Sequence, residues 1–247
     1  MRIEGAHILV TGAARGMGAH FARRLAELGA RVSAGDVDED GLAALAGPIA
    51  RRRLDVADPQ DAEAFVAWAR EVHGPIDGLV NNAGILRDGL LVAKDRKTGA
   101  LRKLSIDDFE AVIRVNLTGA TFMAQAAAAA MIEDGRRGVI VNMSSISRHG
   151  NRGQTNYVAA KAALAANTVT WARELAPYGI RVGAIAPGLI DTPMARSMPP
   201  RHLARAIAAI PLGRMGTPEE IFQAVRFVFE CDYFTGETLD VHGGLRF

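Results

Sequence analysis

Apolar residues recur along the chain in two alternating rhythms. Short runs without polar alternation stand at 7–10, 31–34, 79–80, 139–143 and 182–186. Between them lie stretches with a helical period, such as the one carrying Phe21, Leu25 and Leu28 and closed by Gly29. Helix starts are marked by chemistry that satisfies free backbone amides. Asp58-Pro59 offers an N-cap and an N1 proline, Ser105-Ile106-Asp107-Asp108 resembles a capping box, and Thr217-Pro218-Glu219-Glu220 combines all three signals. Strands apolar on both faces, separated by amphipathic helices, predict a parallel sheet covered on both sides. Right-handed crossovers then give a doubly wound α/β sheet. No internal repeat or Pro/Ser-rich linker divides the chain, so residues 1–247 read as one domain. The alanine run 126–130 reads as a closely packed helix.

Composition narrows the class. Of 247 residues, 49% are hydrophobic and 23% charged, a globular balance. A net charge of +2 with no long Lys/Arg run argues against nucleic acid. The single cysteine, Cys231, excludes an internal disulfide and fits a reducing compartment. No signal peptide is recognised, and no uninterrupted apolar stretch is long enough for a bilayer. The expectation is a cytoplasmic protein without a membrane partner. No His/Cys/Asp/Glu cluster has metal-ligand spacing.

The first chemical signal follows the first strand, in Thr11-Gly12-Ala13-Ala14-Arg15-Gly16-Met17-Gly18. A glycine-rich turn from strand to helix lets backbone amides approach a pyrophosphate at the positive helix end. The spacing is G-x-x-x-G-x-G, and no Lys-Ser/Thr pair follows, so this is not a P-loop. Gly12, Arg15, Gly16, Met17 and Gly18 are therefore candidate dinucleotide contacts. Eighteen residues past the last of these glycines stands Asp36. A carboxylate there bonds the adenosine ribose hydroxyls and repels a 2′-phosphate, which favours NAD over NADP. Arg15 argues more weakly the other way, since a guanidinium can meet a 2′-phosphate.

The second signal is Tyr157 and Lys161, four residues apart and so on one face of a helix. A phenol is a poor base at neutral pH, and a nearby ammonium favours its phenolate. That pair can exchange a proton with a substrate oxygen while a hydride moves. Ser144 ends a strand thirteen residues before Tyr157, where it can hold the same oxygen, and its neighbour Ser145 is the lesser candidate. Asn116 is a polar amide in an apolar helical stretch, read either as a satisfied core residue or kink, or as the holder of a water leading from Lys161.

Taken together with Asn81-Asn82-Ala83-Gly84 and Pro187-Gly188, these motifs resemble the short-chain dehydrogenase/reductase family over essentially the whole chain. The resemblance implies a single Rossmann-type domain and a catalytic tetrad of Asn116, Ser144, Tyr157 and Lys161. It implies that Tyr157 and Lys161 also contact the cofactor, Lys161 at the nicotinamide ribose. Asp55 and Val56 would meet the adenine, Asn82, Ala83 and Gly84 would wall the adenosine ribose, and Pro187, Gly188 and Thr192 would clasp the carboxamide. The family pattern also implies a homo-oligomer, a tetramer joined through long helices. Ser147 departs from it, standing where many members carry glycine.

The segment from Asn82 to Asn116 is about ten residues longer than usual for the family, and such additions are often functional. The addition, about 93–104, holds Lys94, Arg96, Lys97, Arg102 and Lys103 against Asp95, with a hairpin turn at Lys97-Thr98-Gly99-Ala100. It reads either as a solvated basic loop or as a contact for the phosphates of a coenzyme A thioester. A similar extension, and a similar C-terminal third, occur in type II 3-hydroxyacyl-coenzyme A dehydrogenases. The expected activity is therefore NAD-linked hydride transfer to or from a secondary alcohol or ketone, most nearly a 3-hydroxyacyl thioester. The rival within the family is an NADPH-dependent 3-oxoacyl-[acyl-carrier-protein] reductase, against which Tyr178 replaces a basic residue often found there. Residues 192–212 are expected to form a substrate lid whose Met194, Met198, Leu203 and Ile207 either line an acyl slot or pack the lid itself. Alternatives of other classes are a dinucleotide-binding regulator without turnover and a structural subunit of a hetero-oligomer.

Overall fold

The computed structural model describes residues 1–246. The chain opens with β1 (His7–Thr11), α1 (Gly16–Glu27), β2 (Arg31–Asp36), α2 (Glu39–Ala43), β3 (Ile49–Arg53), α3 (Pro59–His73) and β4 (Gly78–Asn81). A small ribbon, β5 (Val92–Lys94) and β6 (Leu101–Lys103), comes next. Then follow α4 (Ile106–Ile113), α5 (Ala120–Glu133), β7 (Val139–Met143), α6 (Thr155–Leu175) and β8 (Arg181–Pro187). The chain ends with α7 (Pro193–Arg196), α8 (Pro200–Ala208), α9 (Pro218–Glu230) and β9 (Thr238–Val241).

Seven strands form one parallel sheet in the order β3-β2-β1-β4-β7-β8-β9, the doubly wound arrangement the apolar runs predict. Every residue of β1, β4 and β7 is buried, which explains why those strands lack polar alternation. One face is covered by α1 and α9, where Phe21, Leu25, Phe222 and Phe229 are fully buried or nearly so. The other is covered by α3, α5 and α6, with Phe65, Met123 and Met131 fully buried in the cluster beneath. Side chains of this size contribute about 1.5–3 kcal/mol each when removed from water, so the two faces supply most of the driving force.

The caps form as their sequences predict. Asp58 accepts from the amides of Gln60 and Asp61, and Thr217 and Glu220 make a reciprocal capping box. Winding reverses between β1 and β4, and the reversal opens a crevice at the C-terminal ends of those strands.

One expectation needs correction. The stretch around Asn116 is not one regular helix: a π turn, Arg114–Gly119, separates α4 from α5. The whole run Ile106–Glu133 spans 28 residues and is long and apolar enough by length and composition to match a bilayer, although charged residues interrupt it. Half of its most apolar window is buried within the protein, the behaviour of a core helix.

Candidate active site

The crevice begins where β1 ends. Gly12 and Gly16 adopt φ values of +66° and +59°, a region closed to most side chains. A Cβ on Gly12 would also stand 2.7 Å from the Ala83 Cα, and one on Gly18 would overlap the Gly12 carbonyl. Helix α1 can thus start directly against the strand ends, with its free amides facing the crevice. Asn82 pins the arrangement. Its Nδ2 donates to the Thr11 and Gly12 carbonyls at 3.0 and 3.1 Å, while Thr11 Oγ1 accepts from the amides of Asn82 and Ala83 at 3.1 Å each.

At the end of β2, the Asp36 carboxylate accepts from the Ala14 amide at 2.9 Å and the Asp38 amide at 3.1 Å. It is a fixed negative charge in the crevice wall. Arg15, at the N-cap of α1, is exposed at the same opening. Gly12, Gly16, Met17, Asp55, Val56, Asn82, Ala83, Gly84 and Thr192 also line this one crevice. Gly18, Pro187 and Gly188 do not line it. Gly18 is packed under the turn, and Gly188 donates to the Val241 carbonyl at 2.9 Å, where an added Cβ would stand 2.7 Å from the His242 Cα. Val37, Leu54, Ile85, Val115, Pro193 and the lid residue Met194 complete the wall, and of these only Met194 was singled out from the sequence.

Helix α6 brings Tyr157 and Lys161 together, with Lys161 Nζ 5.6 Å from the centre of the phenol ring. Lys161 is 4% exposed, and its ammonium donates to the Met143 carbonyl at 2.6 Å. Burial drags its pKa down to about 8. Burial pushes the Tyr157 phenol up to about 12; a hydrogen bond with the Ser145 hydroxyl opposes the rise and the Asp88 carboxylate adds to it. The ammonium lies over the ring and is held by a carbonyl, and the rise of the phenol comes from its own desolvation.

The structure separates the two serines. Ser144 Oγ is buried and donates to the Lys161 carbonyl at 2.8 Å, so it locks α6 onto β7. Ser145 is the hydroxyl beside the phenol, and it also caps the 3-10 turn Ile146–His149 by accepting from the Ser147 amide at 3.1 Å. Adjacent residues on extended backbone face opposite ways, so only one of two consecutive serines can reach Tyr157.

Asn116 is fully buried, and its side chain closes a pair of bonds with one residue. Oδ1 accepts from the Ile85 amide at 2.8 Å and Nδ2 donates to the Ile85 carbonyl at 3.0 Å. The side-chain amide is therefore satisfied within the protein. Its presence in a π turn marks a site where regular helix bonding is interrupted. A Cβ on Gly84 would lie 3.4 Å from Asn116 Oδ1 and 3.7 Å from Lys161 Nζ, so this glycine joins the two ends of the crevice.

The residues fit a dinucleotide. Helix amides and glycines with no room for side chains suit a pyrophosphate. A buried ammonium with three donors and one carbonyl partner suits further hydroxyl acceptors.

Beyond the crevice the extension forms the expected hairpin. Asp95 accepts from the amides of Lys97 and Thr98 at 2.9 Å each and pairs with Arg102. In the lid region Met194 lines the crevice, Met198, Leu203 and Ile207 are half-buried, and no residue of α8 is buried.

A family model described as "Enoyl-(Acyl carrier protein) reductase" matches residues 12–246. The 3-oxoacyl-[acyl-carrier-protein] reductase FabG of Thermotoga maritima is 42% identical, with 99% of each chain covered. The enzyme of the same description from Escherichia coli K12 is 38% identical, again over 99% of each. A (3R)-3-hydroxyacyl-CoA dehydrogenase from Canis lupus familiaris is 38% identical over 99% of this chain and 98% of its own length.

Proposed function

Because the chain belongs to the short-chain dehydrogenase/reductase family, we propose that it interconverts 3-hydroxyacyl and 3-oxoacyl thioesters with NAD as coenzyme. The observation that carries this reading is the meeting of Tyr157, Lys161 and Ser145, with Lys161 next to Gly84, which lines a crevice suited to a dinucleotide. The nicotinamide supplies hydride transfer when bound. Ser145 holds the substrate oxygen beside the phenol, and Tyr157 passes its proton to that oxygen in reduction and takes it back in oxidation. Lys161 bonds the nicotinamide ribose, and its positive charge eases formation of the phenolate. Asn116 holds the Ile85 backbone, and with it the wall facing Lys161, in place.

Gly12, Gly16 and Met17 seat the pyrophosphate, Asp55 and Val56 the adenine, and Thr192 the carboxamide. Gly18, Pro187 and Gly188 act as packing beneath those contacts. Asp36 supports NAD, because its carboxylate is anchored by two amides and cannot swing from a 2′-phosphate without losing them. The lone, half-buried Cys231 suits the cytoplasm, and Ile132 and Val169, 38% exposed on the long helices, suit a homo-oligomer.

A second reading, an NADPH-dependent reductase of carrier-protein thioesters, is favoured by the descriptions of the Thermotoga and E. coli relatives and by exposed Arg15 at the crevice. One experiment separates the two. Ketone reduction at a fixed 3-oxoacyl thioester is followed with NADH and with NADPH, in wild type and Asp36→Ala. The NAD reading expects wild type to prefer NADH and the variant to gain NADPH use; a wild-type preference for NADPH selects the second reading. Tyr157→Phe is expected to lower turnover with either coenzyme by about 10³-fold. Full activity in that variant overturns both.

A further inference from the structure

Beside the start of α6 stands a carboxylate, Asp88, to which the mechanism above assigns no role. The loop after Gly84 passes the start of α6, and polar links fasten the two. The Gly89 amide donates to the Gly153 carbonyl at 2.8 Å, and Asn156 Nδ2 donates to the Arg87 carbonyl at 2.9 Å. Gln154 Nε2 donates to both oxygens of Asp88, at 3.3 and 3.2 Å. Gln154 is in turn held from behind, its Oε1 accepting from Ser147 Oγ at 3.0 Å and Asn151 Nδ2 at 2.9 Å. Ser147 belongs to the turn that Ser145 caps. A single amide side chain therefore ties together the Ser145 turn, the beginning of the Tyr157 helix and the exposed carboxylate of Asp88.

That charge is not neutralised locally. The guanidinium of Arg87 lies 3.8 Å from Asp108, and Arg148 makes a two-bond pair with Asp240. Among the described residues no cation forms a salt bridge with Asp88. The field of the carboxylate reaches the Tyr157 phenol, where it disfavours the phenolate.

We infer that Asp88, aimed by Gln154, is a specificity-determining residue that turns away free 3-hydroxy and 3-oxo acids and admits their neutral esters and thioesters. The inference rests on the reading of Tyr157 as proton carrier. On this inference a substrate whose C3 oxygen meets Tyr157 points its C1 group toward Asp88, which Gln154 holds beside the start of α6, three residues before Tyr157. A free acid places a second negative charge there, whereas an ester or thioester places the same carbon without charge. Like charges ~7 Å apart at an effective dielectric constant of ~30 discriminate by roughly tenfold.

The test compares kcat/KM for 3-hydroxybutyrate and its methyl ester in wild type, Asp88→Asn and Asp88→Glu. Asparagine keeps an oxygen for Gln154 Nε2 while removing the charge. Asp88→Asn is expected to raise the ratio of kcat/KM for the free acid to that for the ester about tenfold, because any effect of the lost charge on Tyr157 is shared by both substrates. Asp88→Glu is expected to retain the wild-type preference. In wild type alone the preference for the ester should shrink as salt rises, since screening weakens an exposed charge. Equal effects of Asp88→Asn on both substrates, or a wild-type preference indifferent to salt, overturn the inference while leaving Tyr157 in its role. Ester oxidation that persists in Tyr157→Phe overturns the reading beneath it instead.

Discussion

Between Gly12 and Gly18 an added methyl group meets backbone at both ends, whereas in the β5–β6 ribbon Leu91, Val92 and Leu101 leave more than half their surface in water. The first region is fixed by main-chain contacts: Asn82 and Thr11 staple two strand ends, and Asp36 clamps the turn that follows. The second is fixed by little beyond its own turn and the Asp95–Arg102 pair. The contrast separates two tasks. A turn held by close backbone contact tolerates little change, whereas a ribbon held by surface side chains is free to vary.

The sharpest way to break this contrast is Gly18→Val. The added side chain collides with the Gly12 carbonyl and the Asn82 amide, so a loss of about 3 kcal/mol or more is expected, together with most cofactor affinity. Thermal unfolding and coenzyme titration check both.

Acid tests the opposite end of β1. His7 is buried in β1, bonded to Ser33 Oγ at 2.9 Å and the Gly74 carbonyl at 3.0 Å, and burial lowers its pKa to about 4. Since the folded value lies below the unfolded value of 6.5, the stabilisation is complete above pH 6.5 and is lost as pH falls towards 4. Roughly 3 kcal/mol of stability should disappear across that window, as read by denaturant unfolding, and His7→Gln should flatten the profile.

At the boundary between the regions, Ser145→Ala is expected to lower kcat about a hundredfold. Ser144→Ala should instead cost about 1–2 kcal/mol of stability with turnover nearly intact, and the reverse pattern would restore Ser144 as the reacting hydroxyl. The smallest effect belongs to the ribbon. Neutralising Lys94, Arg96, Lys97, Arg102 and Lys103 should raise KM for a coenzyme A thioester roughly three- to tenfold and leave small ketones and the melting temperature unchanged. An equal rise for both substrates excludes a phosphate contact.

These differences also explain what was legible in the sequence. The strands β1, β4 and β7 announce themselves because burial on both faces forces unbroken apolar runs. Strand β9 was not read, because its residues are half-buried or exposed and leave no such run. The four-residue spacing of Tyr157 and Lys161 translates directly into geometry, since a helix has a fixed period. Counting residues from Ser144 to Tyr157 does not, because a turn lies between them and side-chain direction alternates on extended backbone. Asn116 was recognised as unusual, but the π turn and the clasp on Ile85 depend on a loop 31 residues away. Asp88 and Gln154 went unnoticed for the same reason: they are distant in the chain and acquire meaning only as a pair.

The ribbon has one more consequence. Its base is closed by a bond from the Leu104 amide to the Leu91 carbonyl at 3.2 Å, so the chain leaves the fold and re-enters it at nearly one place. Lineages sharing this architecture can lengthen, shorten or recharge that appendage without disturbing β4 or α4. New recognition can arise there by drift in an outgrowth, while the chemistry beneath is inherited whole.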